Sequence, residues 1–99
     1  MANSEPRAAV MKLAPQDNVA VALRALRAGE VVMLGDTRIR VARDIAVGHK
    51  LAARPIAAGE KIVKYNCPIG SARCPIAPGD YVHTHNVASD YLPTYTLPE

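Results

Sequence analysis

Histidine carries the clearest chemical potential in this chain. Its three histidines are His49, His83 and His85, and two of them fall in the tetrapeptide His83-Thr84-His85-Asn86. Residues i and i+2 of a strand point to one face. The spacing therefore predicts both imidazoles projecting together, with Thr84 and Asn86 on the opposite side. Neutral imidazole ligates divalent metals and titrates near physiological pH. Such a pair can hold a metal or move a proton, and it is equally the pattern of two surface histidines on an edge strand. Two nitrogen donors do not close a metal site, which takes three or four ligands. The remainder has to come from His49 or from a partner polypeptide.

Cations surround this chemistry in the sequence. Arg38, Arg40, Arg43, Lys50, Arg54, Lys61 and Lys64 lie within one stretch whose acids are Asp44 and Glu60. Residues 1–73 hold all twelve Lys and Arg, and residues 74–99 hold none, so the overall charge of +3 hides a basic body and an acidic end. A basic segment of this kind attracts a carboxylate substrate, an acidic partner or nucleic acid. No interleaving of aromatic and basic residues supports nucleic acid, which is not an expected partner. Lys50, Arg43 and Lys64 are the candidates for clamping a carboxylate, each being otherwise an ordinary solvated side chain.

The elements that position these residues must fit in one domain. A chain of 99 residues buries roughly 60–65% of its unfolded surface, enough for one modest core and not for a deep pocket. There is no Phe or Trp, so the core is aliphatic. A site on so small a scaffold is expected at a junction with a second polypeptide. Self-association into a homo-oligomer stays open. Cys67 and Cys74 are too far apart for a C-x-x-C redox or zinc motif and are expected as free, partly buried thiols. The Met1–Arg7 segment has no apolar stretch of a signal peptide, and no run approaches the ~20 apolar residues of a membrane span. No membrane association and a cytoplasmic location follow as expectations.

One phrase recurs along the chain: an aliphatic residue, two small or apolar residues, Gly, a polar residue, then an aliphatic strand. It appears around Leu26–Gly29, Ile45–Gly48, Ile56–Gly59 and Ile76–Gly79, with Gly serving a turn of positive φ. The phrases group into two similar halves, 24–51 and 54–82. Between them the pattern is short strands: Val19, Val21 and Leu23 alternate, as do Ile39 and Val41, while Ile62-Val63 and Tyr81-Val82 open two more. Residues 15–28 can be read as an Ala/Leu-rich helix, but the alternation favours a strand. A small helical turn is expected at 48–53. Residues 1–14 read as a flexible leader. In the segment 88–99, Tyr91, Leu92, Tyr95 and Leu97 form an extended tail, read as a partner-docking segment or the remnant of a linker.

Five ordered motifs carry a resemblance. They are Asp17-Asn18-Val19-Ala20-Val21-Ala22-Leu23, Gly48-His49-Lys50-Leu51, Ile56-Ala57-Ala58-Gly59-Glu60, Lys64-Tyr65 with Pro68-Ile69-Gly70, and Gly79-Asp80-Tyr81-Val82-His83-Thr84-His85-Asn86. Over residues 15–87 the chain resembles the small N-terminal SAF (β-clip) module of the altronate/galactarate dehydratase family. The resemblance implies an all-β fold, a small antiparallel SAF-type β-clip with a pseudo-two-fold internal repeat and short helical turns. It implies dehydration of a sugar acid to a 2-keto-3-deoxy acid with a divalent metal, Fe(II) or Mn(II). It implies a small subunit that contributes His83 and His85, as metal ligands and catalytic groups, to a site completed by a large catalytic dehydratase subunit. His49, Lys50, Tyr65 and Asn86 match family motifs and are expected at the anionic sugar-acid substrate. Where the family has Gly after the tyrosine this chain has Asn66, and Ala14 stands where relatives often carry His. The alternatives implied are a non-catalytic sugar-acid binding or assembly module and the small subunit of a sulfolactate sulfo-lyase, which eliminates sulfite instead of water.

Overall fold

A computed structural model describes residues 8–89 of the chain. The first seven residues of the expected leader, and Tyr91, Leu92, Tyr95 and Leu97 of the expected tail, lie outside the described residues. Among those described the chain is all strand and turn. The strands are β1 (Val10–Met11), β2 (Val19–Ala22), β3 (Val31–Leu34), β4 (Thr37–Arg40), β5 (Lys50–Ala52), β6 (Lys61–Lys64), β7 (Cys67–Ala72), β8 (Tyr81–Val82) and β9 (Val87–Ala88). They form an antiparallel sheet in the order β1-β2-β5-β8, a hairpin β3-β4 and a sheet β6-β7-β9.

The repeated glycine phrases are a structural duplication. Leu26 bridges to Ile45 in the first half, and Ile56 bridges to Ile76 in the second. Gly29, Gly48, Gly59 and Gly79 all take φ between 85° and 88°. Each half also carries the same surface clasp. Arg24 pairs with Glu30 and Arg54 with Glu60, and each glutamate accepts a second bond from the backbone N–H three residues before it, Arg27 or Ala57. The arginine hydrogen bond is the larger cause, and the backbone bond the next, holding both carboxyls below their ordinary range.

Two aliphatic cores follow from the duplication. One gathers Val10, Ala20, Ala22, Leu26, Val32, Ile39, Val41, Ile45 and Leu51; the other gathers Val19, Ala52, Ile56, Ile62, Ala72, Ile76 and Val82. The paired strands β2 and β5 divide them, because alternate side chains point to opposite faces. Ala20 and Leu51 face the first core, and their neighbours Val19 and Ala52 face the second.

Three expectations are corrected. Lys50–Ala52 is a strand, not part of a helical turn at 48–53, because Leu51 and Ala52 are drawn to opposite cores, which only an extended backbone allows. Ala9 and Val10, read as leader, are buried, and β1 pairs with β2; a strand of two residues is too short for a period of two to announce it. Cys67 and Cys74 are free, as expected, but exposed instead of partly buried.

Candidate functional site

The site sits where the β5–β8 ladder ends. That ladder pairs Lys50 with Val82 and Leu51 with Tyr81. Carrying the register one position further sets His49 across from His83. The two imidazoles lie 6.0 Å apart, centroid to centroid. Tyr81 is the hub. Its ring stacks on His83 at 5.2 Å and 13°, meets His49 and His85 at 5.7 Å each, and lies under the Arg43 guanidinium at 5.1 Å. Its hydroxyl shares a 2.7 Å hydrogen bond with His49 Nδ1, the donor being set by the imidazole tautomer. All three histidines are exposed, while Tyr81 is half-buried against the first core.

The tetrapeptide is a turn and not a strand continuation, because β8 stops at Val82. Asn86 closes it. Its Oδ1 accepts the His83 N–H at 2.9 Å, its Nδ2 donates to the Tyr81 carbonyl at 2.8 Å, and its own N–H donates to the His83 carbonyl at 3.1 Å. Asn86 is buried, and the Arg73 N–H donates to its carbonyl. Geometry therefore gives Asn86 the work of shaping the turn. The expectation that His83 and His85 project side by side is also corrected. His83 has its imidazole contact with His49, and His85 joins through Tyr81; among the described residues the rings of His83 and His85 are not in contact.

Lys50 leads β5 beside this cluster, partly buried. Its burial first, and the nearby Lys64 ammonium second, hold its amine below the ordinary lysine range. Tyr65 stands apart from the histidines, at the β6–β7 hairpin. Tyr65 and Asn66 take φ of 54° and 62°, the pair of positive values that a two-residue type I′ turn requires. A positive φ costs a tyrosine about 1–2 kcal/mol, and Asp17 holds it there by accepting the N–H of Tyr65 and of Asn66, both at 2.7 Å. Burial opposes the charge on Asp17, but backbone N–H bonds from Asn66, Tyr65, Ala14 and Leu13 outweigh it and lower its pKa. Beside it the Asn18 amide bridges to Lys61 and Val63 of β6. Asp17 and Asn18 are thus a clamp on the hairpin, and the Tyr65 ring is presented to solvent at 69% exposure.

Sequence reading missed Tyr81. The period that links His83 to His85, run backwards by two, lands on it, and that was the available signal. For a divalent metal the donors among the described residues fall short. Among the described residues no three of His, Cys, Asp and Glu are grouped to hold an ion, and His49 Nδ1 is engaged by Tyr81. Ligation here requires donors from elsewhere.

Comparison with known proteins agrees with the duplicated all-β fold. Residues 8–90 match the family described as "Altronate/galactarate dehydratase SAF domain". The chain is similar to altronate dehydratase of Escherichia coli, 41% identical over 80 residues, covering 81% of this chain and 16% of that protein. It is 40% identical to altronate dehydratase of Bacillus subtilis over the same shares. It is also similar to the (2R)-sulfolactate sulfo-lyase subunit alpha of Paracoccus pantotrophus, 39% identical over 51 residues, which are 52% of this chain and 76% of that subunit. The chain thus spans about a sixth of the length of the altronate dehydratases it matches. On this match over most of its length, the chain belongs to the altronate/galactarate dehydratase SAF-domain family.

Proposed function

We propose that this chain is the small, site-contributing part of a lyase of the altronate/galactarate dehydratase type, inactive until a large catalytic polypeptide completes its active site. The observation that carries the reading is the open cluster of His49, Tyr81, His83 and His85, its three imidazoles exposed and, among the described residues, short of a full donor set. Loss of water from a 2,3-dihydroxy acid removes the proton α to the carboxylate and expels the β-hydroxyl, which needs a base and an acid. In this reading one imidazole takes the α-proton and another protonates the departing hydroxyl. Tyr81 fixes the His49 ring, Arg43 braces Tyr81, and Lys50 faces the substrate carboxylate. A divalent ion such as Fe(II) or Mn(II), when held by His83 or His85 together with ligands of the partner, supplies neutralisation of the carboxylate charge. The protein works in the cytoplasm, where Cys67 and Cys74 stay reduced.

A second reading, the small subunit of a sulfolactate sulfo-lyase, is supported by similarity over 76% of such a subunit's length. There the leaving group is sulfite in place of water. The test is to combine the purified chain with a large dehydratase or sulfo-lyase polypeptide lacking this module and assay altronate, galactarate and sulfolactate. Turnover of a sugar acid by the pair, and by neither component alone, is expected. Turnover of sulfolactate alone favours the second reading. Full activity of the large protein without this chain contradicts both.

A further inference from the structure

Beside the histidine turn lies a groove of about 460 Å³, within the range of ligand pockets, lined by Lys50, Arg73 and His83 together with the apolar Ile69, Val82 and Val87. Among the described residues no carboxylate lines it. Of the described acids, Glu30 and Glu60 pair with Arg24 and Arg54, and Asp17, Asp44 and Asp80 accept bonds from backbone N–H groups. Two cations thus line one groove beside apolar side chains, a setting in which partial shielding from water strengthens their pull on an anion. Arg73 is fixed to the site by its backbone, whose N–H donates to the Asn86 carbonyl at 2.8 Å. The Arg73 side chain thus springs from a backbone tied to the His83–Asn86 turn, and a guanidinium fork suits an oxyanion bidentately.

We propose that this groove is the oxyanion subsite of the chain, in which Lys50 and Arg73 together take a carboxylate or sulfonate group of a small hydroxy acid and present the adjoining carbon to His83. The proposal rests on the lyase reading for the identity of the occupant, and it adds Arg73 as a determinant of substrate charge. His83 is the wall shared by the groove and the Tyr81 cluster.

The experiment is an NMR titration of the full 99-residue chain with galactarate, with sulfolactate and with the neutral polyol galactitol. Saturable shifts at the amides of Lys50, Arg73 and Val87 are expected with an acid and not with galactitol; a response to galactarate shows that a carboxylate suffices, and a response to sulfolactate alone points to the sulfonate, since sulfolactate carries both groups. Arg73→Gln and Lys50→Gln each weaken binding about tenfold, while Arg38→Gln, outside the groove, leaves it unchanged. An unchanged thermal midpoint in Arg73→Gln keeps the comparison clean, since its backbone bond is retained. No response to either acid, an equal response to galactitol, or undiminished binding by Arg73→Gln overturns the proposal. The two readings fail separately: binding without turnover by the reconstituted pair supports the groove and contradicts the lyase, and turnover that survives Arg73→Gln undiminished does the reverse.

Discussion

His49 and Tyr81, thirty-two positions apart, meet through a hydrogen bond of 2.7 Å between Nδ1 and Oη. The bond joins the turn before β5 to the strand that ends at the histidine tetrapeptide. It fixes which nitrogen of His49 is left to act, since the partner of one ring nitrogen decides the state of the other. Removing the hydroxyl alone isolates this effect. Tyr81→Phe keeps the ring stacked on His83 and is expected to fold as the parent does. Activity of the reconstituted pair falls about tenfold to a hundredfold, and the His49 ring nitrogen shifts in NMR report a changed tautomer. Parental activity with an altered tautomer contradicts a positioning role for Tyr81.

Asn86 is the structural keystone of the tetrapeptide. Asn86→Ala deletes two bonds, to the His83 N–H and the Tyr81 carbonyl, in a buried position. The expected loss is about 2–3 kcal/mol of unfolding free energy, read by urea denaturation. Thr84→Ala, in the exposed middle of the same turn, stays within about 0.5 kcal/mol of the parent. Equal costs for the two variants contradict the role given to Asn86.

The two halves of the duplication differ at one glycine. Gly48 and Gly79 share a positive φ, of 85° and 88°. A Cβ on Gly48 meets nothing within 4 Å, whereas one on Gly79 falls 1.9 Å from the Arg40 carbonyl oxygen. Gly48→Ala is therefore expected to cost only the left-handed backbone penalty, about 1–2 kcal/mol. Gly79→Ala costs at least twice as much, because the end of β4 has to move. Comparable midpoints in denaturant for the two variants would sink this account.

Acid releases the Tyr65 hairpin. The Asp17 carboxyl has a pKa below its ordinary value of 3.8, so its contribution to stability is complete above that value and is lost as pH falls through the lower, folded-state one. Hydrogen exchange at the Tyr65 and Asn66 amides, corrected for intrinsic rates, is expected to lose protection as pH falls below about 4. In Asp17→Asn the protection is reduced at neutral pH and the acid step disappears. An acid step that persists in this variant assigns it to another group.

What the sequence disclosed, and what it hid, divides along local and non-local lines. The glycine turns were legible because positive φ selects Gly wherever it recurs, and the aliphatic alternation of Val19–Ala22 identified a strand. The turn at Asn66 forms without a glycine because Asn tolerates that backbone and Asp17 secures it. The strand β1 was hidden because its pairing with β2 is non-local. His83 and His85 were misplaced because a period of two was carried beyond Val82, where Asn86 turns the chain. Tyr81 was overlooked because one tyrosine in an apolar strand looks like core; the β5–β8 register brings His49 to it, and Arg43 reaches it from the connection between β4 and β5.

The central claim is that this chain lends histidines to a shared active site. Its most direct test is kcat of the reconstituted pair with His83→Ala and with His85→Ala, each at saturating partner and with complex formation verified by sedimentation. The account predicts loss of at least about a hundredfold in kcat with the complex intact. Parental kcat in both variants contradicts it, and leaves the chain as an assembly module.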